Sequence, residues 1–316
     1  MKSNPFFSIV IPVFNRADLI GGALESVLTQ DFQDYEVIVV DDGSIDELEP
    51  VIEKYTQRGV QFLRNDKNLG VGPTRNKGVR ASRGRWVIFF DSDNRLRPGA
   101  LSILHSAAAG CDEKVGVVHG KSELVGVSTR LQGLSQASTR WGYREFLQAD
   151  VIEEALPATR RDVLLRFPFE EKLGIKRECG SLVWYAIGRA GYDFVWTQAV
   201  VQRYVISADS LSGKPYLAAH PEEMVICNQK ILERFGDDLR CLNKEKLIAL
   251  HQKTAFYCIM AGRSGCALRH AQTAWKLDPI NLRTLLLMTL CWVGPRTARR
   301  LYPLAASVGI STGSRG

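Results

Sequence analysis

Residues 85–95 read RWVIFFDSDNR. Five apolar residues, Trp86 to Phe90, run without alternation into Asp91 and Asp93. An unbroken apolar run of this length suits a strand buried on both faces, as in a parallel sheet. In open α/β sheets the ligand site lies beyond the carboxyl ends of such strands. Two carboxylates placed there repel each other unless a positive charge neutralises them. A hard divalent cation with oxygen ligands does so, and it draws an anionic ligand with it.

The surrounding 120 residues repeat the pattern. FSIVIPVF, YEVIVV, VQFLR and VGVVHG read as further strands. Between them Leu19, Ile20, Ala23, Leu24, Val27 and Leu28 share one helical face, and 46–57 and 73–83 also suit helices. Strands alternating with helices give right-handed crossovers and a parallel sheet. Three strand ends carry polar loops: PVFNR, in which Pro12 ends the strand, VVDDGS, in which Gly43 permits a sharp turn, and DSD. Singly, each suits a turn or a helix cap; their recurrence at successive strand ends points to a ligand. In NLGVGPTRNKG, Gly70 and Gly72 allow close backbone approach and Arg75 supplies positive charge for a diphosphate. The spacing is neither the dinucleotide fingerprint nor a P-loop, which weighs against a nucleotidyltransferase.

Residues 121–215 are less regular, with a helix-like stretch at 181–190 and strand-like YDFVW and VVQRYVI. From Pro221 the pattern is helical, near 221–235, 245–261, 264–277, 281–293 and 296–306. ALRHAQTAWKLDP suits one arm of a helical hairpin. A chain with 45% hydrophobic and 24% charged residues is expected to fold as a soluble protein. The seven scattered cysteines contain no C-x-x-C pair and read as reduced cytoplasmic thiols. The apolar N-terminus, interrupted by Pro12, reads as a first strand and not as an export signal.

The net charge of +7 is unevenly placed. From Met260 onward eight Lys and Arg stand against Asp278 alone, so the preceding body is neutral. That distribution argues against nucleic acid as a partner and for an anionic surface met by the C-terminal end. The uncharged stretch 284–295 is too short to span a bilayer but suits an interfacial helix, with Trp292 and Tyr302 at headgroup depth. A core helix packed on protein is the alternative.

FSIVIPVFNR, DYEVIVVDDGS and NLGVGPTRNKGVRASRGRWVIFFDSDN, in this order, closely resemble family 2 glycosyltransferases. The resemblance is strong over residues 7–120 and thinner from 155 to 212. It implies the α/β GT-A fold: a Rossmann-like, mostly parallel central sheet flanked by helices, here with a C-terminal helical extension. Residues 1–120 are then the nucleotide-sugar-binding half, 121–215 the acceptor-binding half and 216–316 the extension. The implied activity is inverting transfer from a nucleoside-diphosphate sugar, a UDP-sugar foremost, to a hydroxyl of a glycan or lipid-linked acceptor. Such an enzyme works in the cytoplasm or on the inner face of the cytoplasmic membrane. Pro12, Val13, Phe14 and Asn15 are expected to line the base pocket, and Asp41, with Asp42, to contact base and ribose. Arg75 meets the diphosphate, Asp93 binds Mn²⁺ or Mg²⁺, and Asp91 contacts ribose or the metal. The family's general base usually lies in an acidic ED pair, which here reads Glu178–Cys179. Glu178 is the candidate base, with Glu170 and Glu171 behind it. The missing aspartate leaves open a catalytically silent GT-A domain acting as a binding or assembly subunit.

Overall fold

The computed structural model describes residues 4–125, 130–132, 140–149, 155–177, 179–205, 211 and 214–307. The chain divides into two compact units, Met1–Ser207 and Ala208–Gly316. The division falls slightly before the 215/216 boundary placed by sequence, and residues 1–120 and 121–207 build one unit.

In chain order the first unit contains β1 (Phe7–Val13), α1 (Ala17–Leu28), β2 (Tyr35–Asp41), α2 (Leu48–Thr56), β3 (Val60–Arg64) and α3 (Val71–Ala81). There follow β4 (Trp86–Phe89), β5 (Arg95–Leu96), α4 (Ala100–Ala109), β6 (Val115–Val125), β7 (Arg130–Gln132) and β8 (Arg140–Trp141). The unit closes with α5 (Tyr143–Gln148), β9 (Ala155–Arg160), α6 (Arg161–Arg166), α7 (Gly180–Arg189) and β10 (Asp193–Val205). Among the described residues the sheet order is β3-β2-β1-β4-β9-β6-β10-β5, with β7 beside β6 and β8 beside β10. β1 to β4 are mutually parallel, β9 is inserted antiparallel, and β6 runs parallel to β10.

The non-alternating runs are explained by a core on each face of the sheet. Trp86, Ile88 and Phe90 join Ile9, Ile11, Val37 and Val39 on the face covered by α1, α2 and α4. Val87 and Phe89 join Val10, Ile38 and Val40 on the face covered by α3, α5, α6 and α7. Fully burying each such side chain contributes about 1.5–3 kcal/mol. A strand buried on both faces has no polar side to show.

Three local expectations change. Pro12 does not end β1, which runs on to Val13 with Pro12 opposite Val40. Pairing with β4 stops at Val10–Phe89, so no ladder donor is required of Pro12 on that side. From Asp193 to Val205, YDFVW and VVQRYVI lie in a single strand, β10, whose register shifts between Trp196 and Val200. Cys179 is disulfide-bonded and departs from the all-thiol expectation.

The second unit is helical: α8 (Lys214–Ala219), α9 (Pro221–Leu242), α10 (Lys244–Met260), α11 (Ser264–Leu277) and α12 (Leu282–Ser307). α10 and α11 form the expected hairpin, packed through Ala255, Phe256, Ile259, Ala267 and Ala271. α12 is continuous through Pro295, where the sequence suggested two helices. Proline removes one intrahelical donor and bends a helix without always ending it. Cys227 is disulfide-bonded, whereas Cys111, Cys241, Cys258, Cys266 and Cys291 are free thiols.

Candidate active site

The parallel strands deliver four loops to one edge of the sheet. The loops after β1 and β2 are stapled together. The Asn15 backbone N–H donates to Ser44 Oγ at 2.9 Å, and Ile45 N–H donates back to Asn15 Oδ1 at 2.9 Å. Asn15 adopts φ 52°, a left-handed conformation that asparagine tolerates better than most residues. Asp46 accepts from Ala17 N–H and so caps the start of α1. Phe14 is left on the rim, 40% exposed.

The two aspartates of DDGS have separate tasks. Asp42 accepts from Asn65 Nδ2 and the Leu69 N–H at 2.9 Å, and from the Gly70 N–H at 2.8 Å. Both its oxygens are therefore used to hold the glycine loop. Asp41 is fully buried; Oδ1 accepts the Ser44 N–H, and Oδ2 lies 3.4 Å from Arg64 Nε without making a hydrogen bond. A buried carboxylate oxygen with unused acceptor capacity is costly unless a ligand donates to it. Val13, expected in the base pocket, instead sends its side chain into the core, and its carbonyl accepts the Asp42 N–H. Pro12 is half-buried within β1.

Gly70 is required by two constraints. Its φ is +100°, and a Cβ there would stand 2.6 Å from the Ile175 carbonyl oxygen. The approach brings residues 169–177 over the start of α3. Val71 N–H bonds the Lys176 carbonyl, and Asn76 bonds both the N–H and the C=O of Phe169. Gly72 has ordinary space around it, so close packing does not require it.

Asp91 and Asp93 sit just past β4, as the sequence indicated. Arg75 Nη2 is 3.1 Å from Asp91 Oδ1, with its guanidinium against the rings of Phe89 and Phe169. Arg16 Nη1 is 3.4 Å from Asp93 Oδ2. Burial, then the neighbouring Asp91 charge, raise the Asp93 carboxyl above its ordinary pKa, with Arg16 opposing. A carboxylate pair held against desolvation and like charge suits a hard cation. Among the described residues no group of three metal-ligating side chains is found.

Of the candidate bases, Glu178 lies outside the described residues. Glu171 is engaged: hydrogen bonds from Arg80 and then Asn76 hold its carboxyl below the ordinary range. Glu170 lines a small cleft with Gly72, Pro73, Phe169 and Arg177. A separate groove opens between α4 and β10 around Ile103 and Trp196, and none of these residues lines it. Arg16, Asn65, Asn76 and Phe169 were not singled out as site residues from the sequence. Asn76 has no pattern to reveal it, because its partner lies 93 residues away. Arg16, directly after the strand-end asparagine, could have been found.

Residues 8–157 match the model of Glycosyl transferase family 2. The chain is 37% identical over 107 residues to GalNAc(5)-diNAcBac-PP-undecaprenol beta-1,3-glucosyltransferase of Campylobacter jejuni. That match covers 33% of this chain and 35% of the relative. The chain thus spans about a third of the length of the curated relatives it matches. Among solved structures it resembles S. aureus TarS 1–349 in complex with UDP-GlcNAc, with TM-score 0.61 and 19% identity over 95% of this chain and 92% of that one. The mannosyltransferase PcManGT of Pyrobaculum calidifontis, in complex with GDP-Man and Mn²⁺, gives TM-score 0.57 and 18% identity over 99% and 89%. The fold is GT-A, with a helical C-terminal region.

Proposed function

We propose that the protein is an inverting glycosyltransferase that uses a nucleoside-diphosphate sugar, a UDP-sugar foremost, and a hydroxyl acceptor on a glycan or lipid-linked glycan. The observation that carries this reading is the convergence of Asp41, Asp91, Asp93, Arg16 and Arg75 at one sheet edge. Buried, incompletely satisfied Asp41 is suited to accept from base or ribose, and Phe14 offers a ring at the rim. Asp42 acts at one remove, by fixing the loop that opens α3. Arg75 and Arg16 counter charge near the leaving diphosphate.

Asp93 and Asp91 are the residues that would hold Mn²⁺ or Mg²⁺, which when bound neutralises charge on the departing diphosphate. Glu178 takes the proton of the acceptor hydroxyl. The acceptor oxygen bonds to the anomeric carbon as the bond to the diphosphate breaks on the opposite face, and configuration inverts. No helix among the described residues is long and apolar enough to cross a membrane. A lipid-linked acceptor therefore calls for peripheral contact, through the C-terminal helices, with the inner face of the cytoplasmic membrane.

Release of nucleoside diphosphate from a panel of donors and acceptors tests the reading. Glu178→Gln is expected to keep donor binding and lose transfer by roughly 10²-fold or more. Unchanged turnover would move the role to Glu170 or remove a protein base from the mechanism. Donor binding without transfer in the wild-type protein would favour the binding-subunit alternative, which the Glu178–Cys179 sequence motivates.

A further inference from the structure

α12 is apolar on two sides, and among the described residues only one of them is covered. Thr284, Leu287, Leu290 and Cys291 are buried in the second unit. Leu282 is 81% exposed, Leu285 and Leu286 are each 47% exposed, and Trp292 is 83% exposed. Ile280, just before the helix, is 88% exposed. Positions 282, 285, 286, 289 and 292 follow the three- and four-residue spacing of one helical face, and Thr289 is the only hydroxyl among them. Single exposed apolar residues are ordinary, but a continuous row of large ones marks a contact surface.

We infer that this face of α12 docks on an anionic lipid bilayer. The inference rests on the peripheral-membrane part of the proposed function and deepens it by naming the surface. Charge decides between occupants. α12 carries Arg283, Arg296, Arg299 and Arg300 and no acidic residue, and residues 260–316 carry the whole net charge of the chain. A second copy would set this excess against itself. An anionic headgroup layer complements it. Five helical turns on from Leu282, Arg300 is exposed and falls on the same face. Leucines followed by an arginine therefore match an acyl boundary with headgroups beside it. From Leu282 to Trp292 the row is about 15 Å long, far less than a bilayer core, so the helix lies in the surface plane. Trp292 ends the row, and tryptophan favours the interface.

The test uses the full chain and co-sedimentation with vesicles of phosphatidylcholine, with and without phosphatidylglycerol. The wild-type protein is expected to bind the anionic vesicles about 10-fold better, and less at high salt. Leu285→Glu/Leu286→Glu is expected to lower that binding by at least about 10-fold while circular dichroism and nucleotide-sugar binding stay unchanged. Leu282→Glu, at a more exposed position, gives a second variant with less risk to folding. Brominated acyl chains should quench wild-type fluorescence more than that of Trp292→Phe. If wild type ignores anionic vesicles yet binds a nucleotide sugar, the membrane reading falls and the transferase reading stands. If both glutamate variants bind vesicles as well as wild type, another surface is responsible. If light scattering without lipid finds a dimer that Leu285→Glu/Leu286→Glu dissociates, the occupant is a second copy and the inference is overturned.

Discussion

Arg16 and Asp93 lie 77 residues apart in sequence and meet at 3.4 Å, joining the loop after β1 to the loop after β4. The pair shows how the site manages its charge. Asp93 is disfavoured as an anion first by burial and then by Asp91, and Arg16 offsets only part of this. Because its folded pKa lies above the ordinary carboxylate value, its ionisation opposes folding, and stability falls as pH rises through that interval. Asp93→Asn is therefore expected to raise the thermal midpoint at neutral pH, by an effect within about 1 kcal/mol. The advantage should vanish below pH about 3.8, the ordinary value, where the carboxyl is protonated in both states. Scanning calorimetry across pH checks it; a less stable Asn variant at neutral pH would show that the Arg16 pair dominates.

The Asn15–Ser44 staple separates conformation from hydrogen bonding. Asn15→Gly keeps the left-handed backbone and loses the bond to Ile45, whereas Asn15→Ala loses both. Alanine is expected to cost about 1–2 kcal/mol in urea unfolding and glycine less. Both should weaken donor binding, about 10-fold, if these loops form the nucleotide pocket. Equal stability of the two variants would remove backbone strain from the explanation.

Gly70 should tolerate no side chain. Gly70→Ala meets both a positive φ and the Ile175 carbonyl, and is expected to destabilise by about 1–3 kcal/mol. Gly72→Ala, whose Cβ would stand an ordinary 3.4 Å from Phe169 Cβ, is expected to be within about 0.5 kcal/mol of wild type. Chemical denaturation of the two variants side by side gives the comparison, and parity between them would contradict the packing of residues 175–176 on the loop.

His119 predicts an acid-sensitive core. It stacks on Trp196 at 4.0 Å and 11°, and burial lowers its pKa to about 3. The folded state holds it neutral while the unfolded chain takes up a proton near 6.5, so its contribution is complete above 6.5 and is lost as pH falls towards about 3. Each pH unit in that window removes up to about 1.4 kcal/mol. His119→Phe keeps a ring in the stack and should flatten this part of the profile. An unchanged acid slope would assign it to other groups.

Much of this site could be read from local pattern. Trp86–Phe90 announced a doubly covered strand, and the carboxylates lie at its end, because burial on two faces forbids alternation and parallel strands all deliver their ends to one edge. The division of labour between Asp41 and Asp42 was not legible. It depends on where Asn65, Leu69 and Gly70 return in space, and the two neighbours look alike in sequence. Val13 was misjudged for a related reason: strand alternation turns it into the core while Phe14 faces out. The continuity of α12 through Pro295 was hidden because a proline reads as a stop when only local rules are applied.

In the proposed function the carboxylates after β4 bind a nucleoside-diphosphate sugar together with a divalent cation. Calorimetric titration of UDP-sugars and GDP-sugars into wild type and Asp93→Ala, with and without Mn²⁺, measures this binding. At least one donor is expected to bind wild type with Mn²⁺, raising the thermal midpoint in step with its concentration over Kd. In Asp93→Ala the Mn²⁺-dependent part should disappear while the fold persists. Equal Mn²⁺-dependent binding by Asp93→Ala and wild type would contradict the account.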